Sequence, residues 1–166
     1  MSQKILSTNE IDTKSLRIAY QILESNVEQQ DIFIVGIQGN GYLLAEKLLN
    51  ILKGISNKNF VLGKISLDKK NPHNPPNFDL DLKELENKSL VLIDDVLQSG
   101  TTLMYGVRYF LQIALSQFKT AVLVDRNHKK FPVKADFKGI SLSTSTSAMV
   151  EVKFNDHSSA EAFLIN

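Results

Sequence analysis

The sequence predicts an α/β protein built on a central, mostly parallel sheet flanked by helices. Three observations carry that prediction. The runs IFIVGI (32–37), SLVLID (89–94) and TAVLVD (120–125) are short, β-branched and continuously apolar, as strands buried on both faces are. Segments of helical period stand between them. Glycine-containing breaks follow the first two runs, where loops at the carboxyl ends of parallel strands gather ligands. With 166 residues, no internal repeat and no dividing linker, the chain reads as one domain, 1–166.

In chain order, Leu16, Ala19, Tyr20, Leu23 and Val27 recur at helical spacing, with Asp12 as a plausible N-cap, so a helix is expected over 12–27. The first buried strand follows, then the break QGNG and a helix over 41–53. NFVLGKISL (59–67) reads as a strand. DKKNPHNPPNFDL (68–80) holds three of the four prolines and reads as an irregular, mobile loop. The strand at 89–94 leads through a loop to a helix from about Thr102 to Phe118. After the strand at 120–125 come shorter β-like pieces at 135–141 and 148–154, and a candidate at AFLI.

Bulk properties mainly exclude. Hydrophobic residues make up 43% and charged residues 22%, a soluble globular balance. A net charge of +1 rules out a polyanion binder by composition alone. The chain has no cysteine, so disulfides and thiolate zinc sites are excluded. MSQKILSTNE has no signal-peptide core, and no apolar run reaches membrane-spanning length. The expected location is the cytoplasm, with no membrane partner. His73 and His157 have no partners at ligand spacing and read as surface histidines.

Two loops carry the chemistry. Ser99, Gly100, Thr101 and Thr102 precede a helix, whose free N–H groups and positive dipole end suit a phosphate. An ordinary N-cap rich in small residues is the alternative. The loop lacks the Gly-Lys-Ser/Thr of a Walker motif, and the glycines at 36, 39 and 41 do not fit G-x-G-x-x-G. Asp94 and Asp95 close the preceding strand. They are either solvated or accept hydrogen bonds from vicinal hydroxyls of a ligand whose phosphate sits on the loop. A ribose 5-phosphate has that shape.

VLIDDVLQSGTT (91–102) resembles the phosphoribosyl-pyrophosphate (PRPP) motif of the type I phosphoribosyltransferases. DIFIVGIQGNGYLLAEKL (31–48) and AVLVDRNHKKFPVKADFKGISLSTSTS (121–147) are similar to the PyrR branch, which combines pyrimidine-operon attenuation through RNA with uracil phosphoribosyltransferase activity. The likeness covers roughly 4–154. It implies a Rossmann-like type I fold with a small β-rich hood, formed by about 126–150 and the N-terminus. It also implies transfer of ribose 5-phosphate from PRPP to uracil, giving UMP and pyrophosphate, with Mg²⁺ held mainly by PRPP oxygens. A homodimer and an RNA partner come with it.

By the same resemblance, Asp94 and Asp95 are the catalytic pair that holds the ribose hydroxyls. Leu97, Gln98, Ser99, Gly100, Thr101 and Thr102 take the 5′-phosphate. Gln38, Gly39, Asn40 and Gly41 take pyrophosphate. Asp125, Arg126 and Phe137 face the base, with core packing as the other reading of Phe137 and ordering of Arg126 as the other reading of Asp125. Purine members carry aspartate at position 98, whereas Gln98 cannot act as a general base. Arg17, His128, Lys129 and Lys134, with Lys130 and Lys138, form a basic cluster that is either an RNA contact or a solvated surface. Two departures predict weak catalysis or a regulator without catalysis, and a third weakens the RNA reading. Gly39-Asn40 replaces Thr-Arg, the 66–87 segment is shortened and leaves Lys69 and Lys70 as its cations, and Leu16-Arg17 keeps half of a helical Thr-Arg signature. Another base is the remaining alternative.

Overall fold

The computed structural model describes residues 1–155 and 158–166, so His157 lies outside the described residues. The elements run β1 (Ser2–Leu6), α1 (Thr8–Ser25), β2 (Asp31–Ile37), α2 (Asn40–Ile55), β3 (Asn59–Ser66), β4 (Asn77–Phe78), β5 (Ser89–Leu97), α3 (Thr101–Phe110), β6 (Gln117–Arg126), β7 (Phe137–Leu142), β8 (Met149–Phe154) and β9 (Ala160–Ile165). The main sheet has the order β4-β3-β2-β5-β6-β7, parallel except for the β3–β4 pair. The mostly parallel α/β architecture expected from the sequence is therefore present.

Side-chain alternation along the central strands builds two cores. Ile32 and Ile34 of β2 and Val91 and Ile93 of β5 face the layer of α1 and α2. Phe33, Val35 and Ile37 of β2 and Leu90 and Leu92 of β5 face the layer of α3. These strands have no polar face because both of their faces are covered. The chain leaves β2 through α2 and leaves β5 through α3, so the two neighbouring strands send their connections to opposite faces. A crevice opens where they diverge, which is where open α/β sheets bind ligands.

The second sheet is antiparallel, of order β1-β9-β8. It corrects the hood expected at about 126–150. Strand β7 joins the main sheet beside β6, while the small sheet uses 149–165 and the N-terminal strand. Ser2 pairs with Ile165, so β1 gains its partner from the far end of the chain, and its own five residues carry little strand signal.

Three further boundaries differ from expectation. Helix α1 starts at Thr8 because Ser7 and Glu10 form a capping box, legible in the sequence as STNE; Asp12 instead pairs with Lys47 of α2 at 2.5 Å. The buried stripe is Ile11, Ser15, Ile18, Ala19 and Ile22, whereas Leu16, Tyr20 and Val27 are exposed. Helix α3 stops at Phe110, well before Phe118. Ser116 N–H donates to Lys88 O (2.9 Å) and Asn87 N–H to Ala114 O (2.8 Å), so the chain turns early and β6 can pair from Gln117. The 68–80 segment is less irregular than its composition suggests. The Asp68 carboxylate accepts from the Lys70 and Asn71 N–H groups and from the Asn74 amide, and β4 pairs with the end of β3.

Replacing Ser7 by alanine removes an N-cap whose hydroxyl accepts from the Glu10 N–H. The expected loss is about 0.5–2 kcal/mol. Chemical denaturation should show a lower midpoint at an unchanged slope.

Candidate active site

A cavity of about 350 Å³ opens at the crevice, lined by Asp94 and Asp95, the 96–100 turn, Thr102 and Leu103, with Asn40, Lys69 and Val150–Val152 around it. Strand β5 does not stop at Ile93. It continues through both aspartates to Leu97, paired with Val122 through Asp125 of β6. The sheet therefore fixes the backbone of the acidic pair. Asp94 is buried and Asp95 half-buried. The Asp95 N–H donates to Asp94 Oδ1 at 2.9 Å.

The Asp94 carboxyl is held well above the ordinary aspartate value of 3.8, chiefly by burial, then by the Asp95 charge and the hydrogen bond between the two side chains. The Asp95 N–H and the Lys69 charge oppose this more weakly. Two adjacent carboxylates in a desolvated corner disfavour double ionisation.

Helix α2 supplies the second wall. A Cβ on Gly41 would lie 2.9 Å from Ile93 O and 3.0 Å from Asp94 Oδ1, so glycine is what lets α2 begin against the acidic pair. Asn40 Nδ2 donates to Asp95 Oδ2 (3.1 Å) and to Val152 O of β8 (2.7 Å). One amide thus joins the pair to the small sheet. Gln38 N–H donates to Ile65 O (2.8 Å), and its side-chain oxygen accepts from Ser66, so this residue is committed to β3.

The third wall is the turn into α3. Gly100 has φ 83°, and a Cβ there would come 2.7 Å from Val133 Cγ1. Ser99 O accepts from the Lys130 and Phe131 N–H groups at 2.8 and 3.0 Å, so the 130–133 segment braces the turn from outside. Ser99 Oγ accepts from the Thr101 N–H at 3.2 Å, and nothing caps α3 from the Gly100 side chain position. The amino end of α3 faces the cavity with its dipole and hydroxyls available to an anion.

The structure brings together Asp94, Asp95, Leu97 through Gly100, Thr102 and Asn40 of the residues singled out in the sequence. Lys69, one of the two cations noted in the 66–87 segment, also lines the cavity, and the structure adds Val150, Glu151 and Val152, which the sequence alone does not place there. Among the described residues Lys69 is the one cation lining this cavity, and it reaches it from beyond the end of β3. Nothing local in VEV signals a site; the pairing of β8 with β9 puts it there.

Phe137 is elsewhere. It opens β7 opposite Ala121, four residues before the Ser141–Asp125 row, and packs against the α1/α2 core. Its core reading holds, because β7 belongs to the main sheet rather than to a hood over the cavity. Asp125 pairs with two lysines rather than with Arg126. Its buried carboxylate lies 2.9 Å from Lys129 Nζ and 3.1 Å from Lys138 Nζ. Arg126, also buried, donates to Gln98 Oε1, Thr144 Oγ1 and Ser145 O.

The basic cluster is likewise tied up in part. Arg17 Nη2 donates to the main-chain oxygens of Lys138 (2.8 Å) and Gly139 (2.5 Å), fastening α1 to β7. Lys134 lies 3.5 Å from Asp136, and His128 and Lys130 are exposed. No group of three or more metal-ligating side chains occurs among the described residues. Among the described residues no helix is long and apolar enough to cross a membrane.

The chain matches the family described as the phosphoribosyl transferase domain over residues 2–156. It is 32% identical over 169 residues to the "Bifunctional protein PyrR" of Fusobacterium nucleatum, covering 97% of this chain and 96% of that protein. With the protein of the same description from Pediococcus pentosaceus it shares 30% identity over 162 residues, 92% of each. Among solved structures, a hypoxanthine-guanine phosphoribosyltransferase from Bacillus anthracis superposes with a TM-score of 0.77 at 15% identity, covering 97% of this chain and 96% of that one. A hypoxanthine phosphoribosyltransferase from Trypanosoma cruzi gives 0.76 at 15% identity, covering 96% and 95%. At that identity the two structures establish the fold.

The raised Asp94 carboxyl makes a stability prediction. A carboxyl whose folded value is raised holds its proton more tightly when folded, so its contribution to stability falls as pH rises from 3.8 through the raised value. Asp94→Asn keeps the acceptor for the Asp95 N–H and removes the titration. Its melting temperature should exceed that of the unmodified protein, by a margin that widens with pH across that window. A variant melting lower at every pH would contradict the burial argument.

Proposed function

Because the chain belongs to the phosphoribosyl transferase domain family, we propose that it transfers ribose 5-phosphate from PRPP to uracil, giving UMP and pyrophosphate. The observation that carries this reading is the acidic pair and the amino end of α3 sharing one cavity. Asp94 and Asp95 accept hydrogen bonds from the vicinal ribose hydroxyls. The Leu97–Thr102 turn takes the 5′-phosphate on main-chain N–H groups and hydroxyls. The Gln38–Gly41 turn lies where pyrophosphate leaves. The whole chain acts as one unit, with the β1-β9-β8 sheet as the hood, and a homodimer is expected from the resemblance.

In the transfer, a ring nitrogen of the base bonds to C1′ as the bond from C1′ to pyrophosphate breaks. The electron pair departs with pyrophosphate, and the N–H proton of the base passes to the departing pyrophosphate or to solvent water. Positive charge develops on the ribosyl centre, and the ionised acidic pair stabilises it. The residues fit a magnesium ion that arrives on PRPP. They offer hard carboxylate oxygens at Asp94 and Asp95, with no group of three or more metal-ligating side chains among the described residues. Such an ion supplies charge neutralisation of the pyrophosphate. The chain's own residues hold the ribose, orient C1′ and place Lys69 at the rim.

Catalysis is expected to be weak. Asn40 brings no charge, and its amide is already shared between Asp95 and Val152 O. The 68–78 loop is knotted around Asp68 and stiffened by prolines, which opposes closure over the cavity. Missing one charged donor at a leaving group costs ~10²–10³ in turnover.

A second reading, binding of operon-leader RNA, is supported by the relatives' description as bifunctional and by the "Pyrimidine operon regulatory protein" of Lactococcus lactis, 27% identical over 155 residues. The exposed His128, Lys130 and Lys134 are its candidates. Steep salt dependence in a filter-binding titration with pyrimidine-operon leader RNA would support it.

The direct test is a PRPP-dependent assay with uracil, cytosine, hypoxanthine and guanine. Uracil should give product and the hydroxypurines little; comparable turnover of a purine would overturn the base assignment. Lys69→Met should lower turnover by ~10²-fold while PRPP affinity changes far less, because the charge is needed most as pyrophosphate departs. Equal losses in both would place Lys69 in ground-state binding.

A further inference from the structure

Beyond Gln98 and Ser99 the cavity continues into a second hollow of about 350 Å³, with Arg126, Thr146, Ala148 and Met149 among its lining. Gln98 is part of the wall between the two. Arg126 Nη1 donates to Gln98 Oε1 at 2.8 Å. The same guanidinium is fixed at its other edge, where Nε and Nη2 donate to Thr144 Oγ1 at 3.1 and 2.9 Å and Nη2 to Ser145 O at 3.1 Å. Arg126 is 7% exposed, so this clamp is shielded from water.

A guanidinium has donors and no acceptor. The orientation of the Gln98 amide is therefore determined: its oxygen faces Arg126 and its NH₂ faces away, toward the cavities. We infer that Gln98 is a specificity-determining residue, presenting an N–H donor that selects a base carrying an oxo group over one carrying an amino group, with Arg126 as the residue that positions it. This rests on the PRPP-dependent reading above and adds the chemical class of base. An oxo oxygen accepts the Gln98 N–H. An amino group sets donor against donor and leaves both N–H groups without partners in a half-buried place, which costs on the order of 10–10²-fold in affinity.

UMP and CMP separate the idea from most of what the site does, since they share the ribose 5-phosphate and differ along one edge of the ring: an oxo group beside N3–H in UMP, an amino group beside a bare N3 in CMP. Calorimetry on the full chain needs no turnover. The unmodified protein should bind UMP ~10–10²-fold tighter than CMP. Gln98→Glu keeps an oxygen for Arg126 and replaces the donor by an acceptor, so the UMP/CMP ratio should fall at least about tenfold toward or past unity. Arg126→Met frees the amide to turn over and should also level the ratio, while Arg126→Lys, still a pure donor, should restore part of it. A merely structural role for Arg126 would weaken both nucleotides and leave the ratio intact. Equal affinities in the unmodified protein, or a ratio unmoved by Gln98→Glu, would overturn the inference. PRPP titrated in parallel distinguishes the two levels: PRPP bound with no preference between the nucleotides sinks this inference alone, and no binding of PRPP or either nucleotide sinks the phosphoribosyl reading with it.

Discussion

Two neighbouring carboxylates are carried into a corner from which water is largely excluded, and the arrangement around the cavity follows from holding them there. Strand β5 is buried on both faces as far as Ile93 and stays paired with β6 through Leu97. The aspartates therefore cannot relax into solvent as they would in a free loop. The cost of that confinement appears as the raised Asp94 carboxyl. A ligand that brings hydroxyls and a cation relieves it, because it supplies donors and positive charge beside Lys69, the one cation lining the cavity among the described residues.

The surrounding contacts keep the corner open to such a ligand. Gly41 lets α2 start against Asp94, and Asn40 ties Asp95 to β8, so the small sheet is fastened to the acidic pair through one side chain. On the other side, the 130–133 segment hydrogen-bonds to Ser99 O and packs over Gly100, holding the turn in the conformation that aims the amino end of α3 inward. Arg126 then links that turn to residues 144–145. Charge, dipole and hydroxyls converge because three separate connections arrive at the same end of the sheet.

Much of this was legible from residue pattern alone. The β-branched runs of β2, β5 and β6 announce a doubly covered sheet, and DDVLQSGTT announces its ligand end. Local signals failed where pairing is long-range. Strand β1 depends on β9, which pairs with it from the far end of the chain, and nothing within SQKIL reveals it. Val150–Val152 reach the cavity through the pairing of β8 with β9. Phe137 sits in β7, which joins the main sheet, and packs against the core. Arg126 has Gln98 as its partner, a contact that no local pattern signals. The helix start at STNE is a local signal, whereas the apolar pattern that points to Asp12 includes the exposed Leu16 and Tyr20.

The central claim is that the acidic pair is strained when empty and relieved by its ligand. Calorimetric titration of PRPP with magnesium, repeated at one mildly acidic to neutral pH in buffers of different ionisation enthalpy, measures the protons exchanged on binding. The account predicts proton release on binding, as Asp94 gives up its proton to meet the incoming charge, and a smaller release in Asp94→Asn under the same conditions. An identical proton balance in the two proteins would show that Asp94 is ionised before the ligand arrives, and would contradict it.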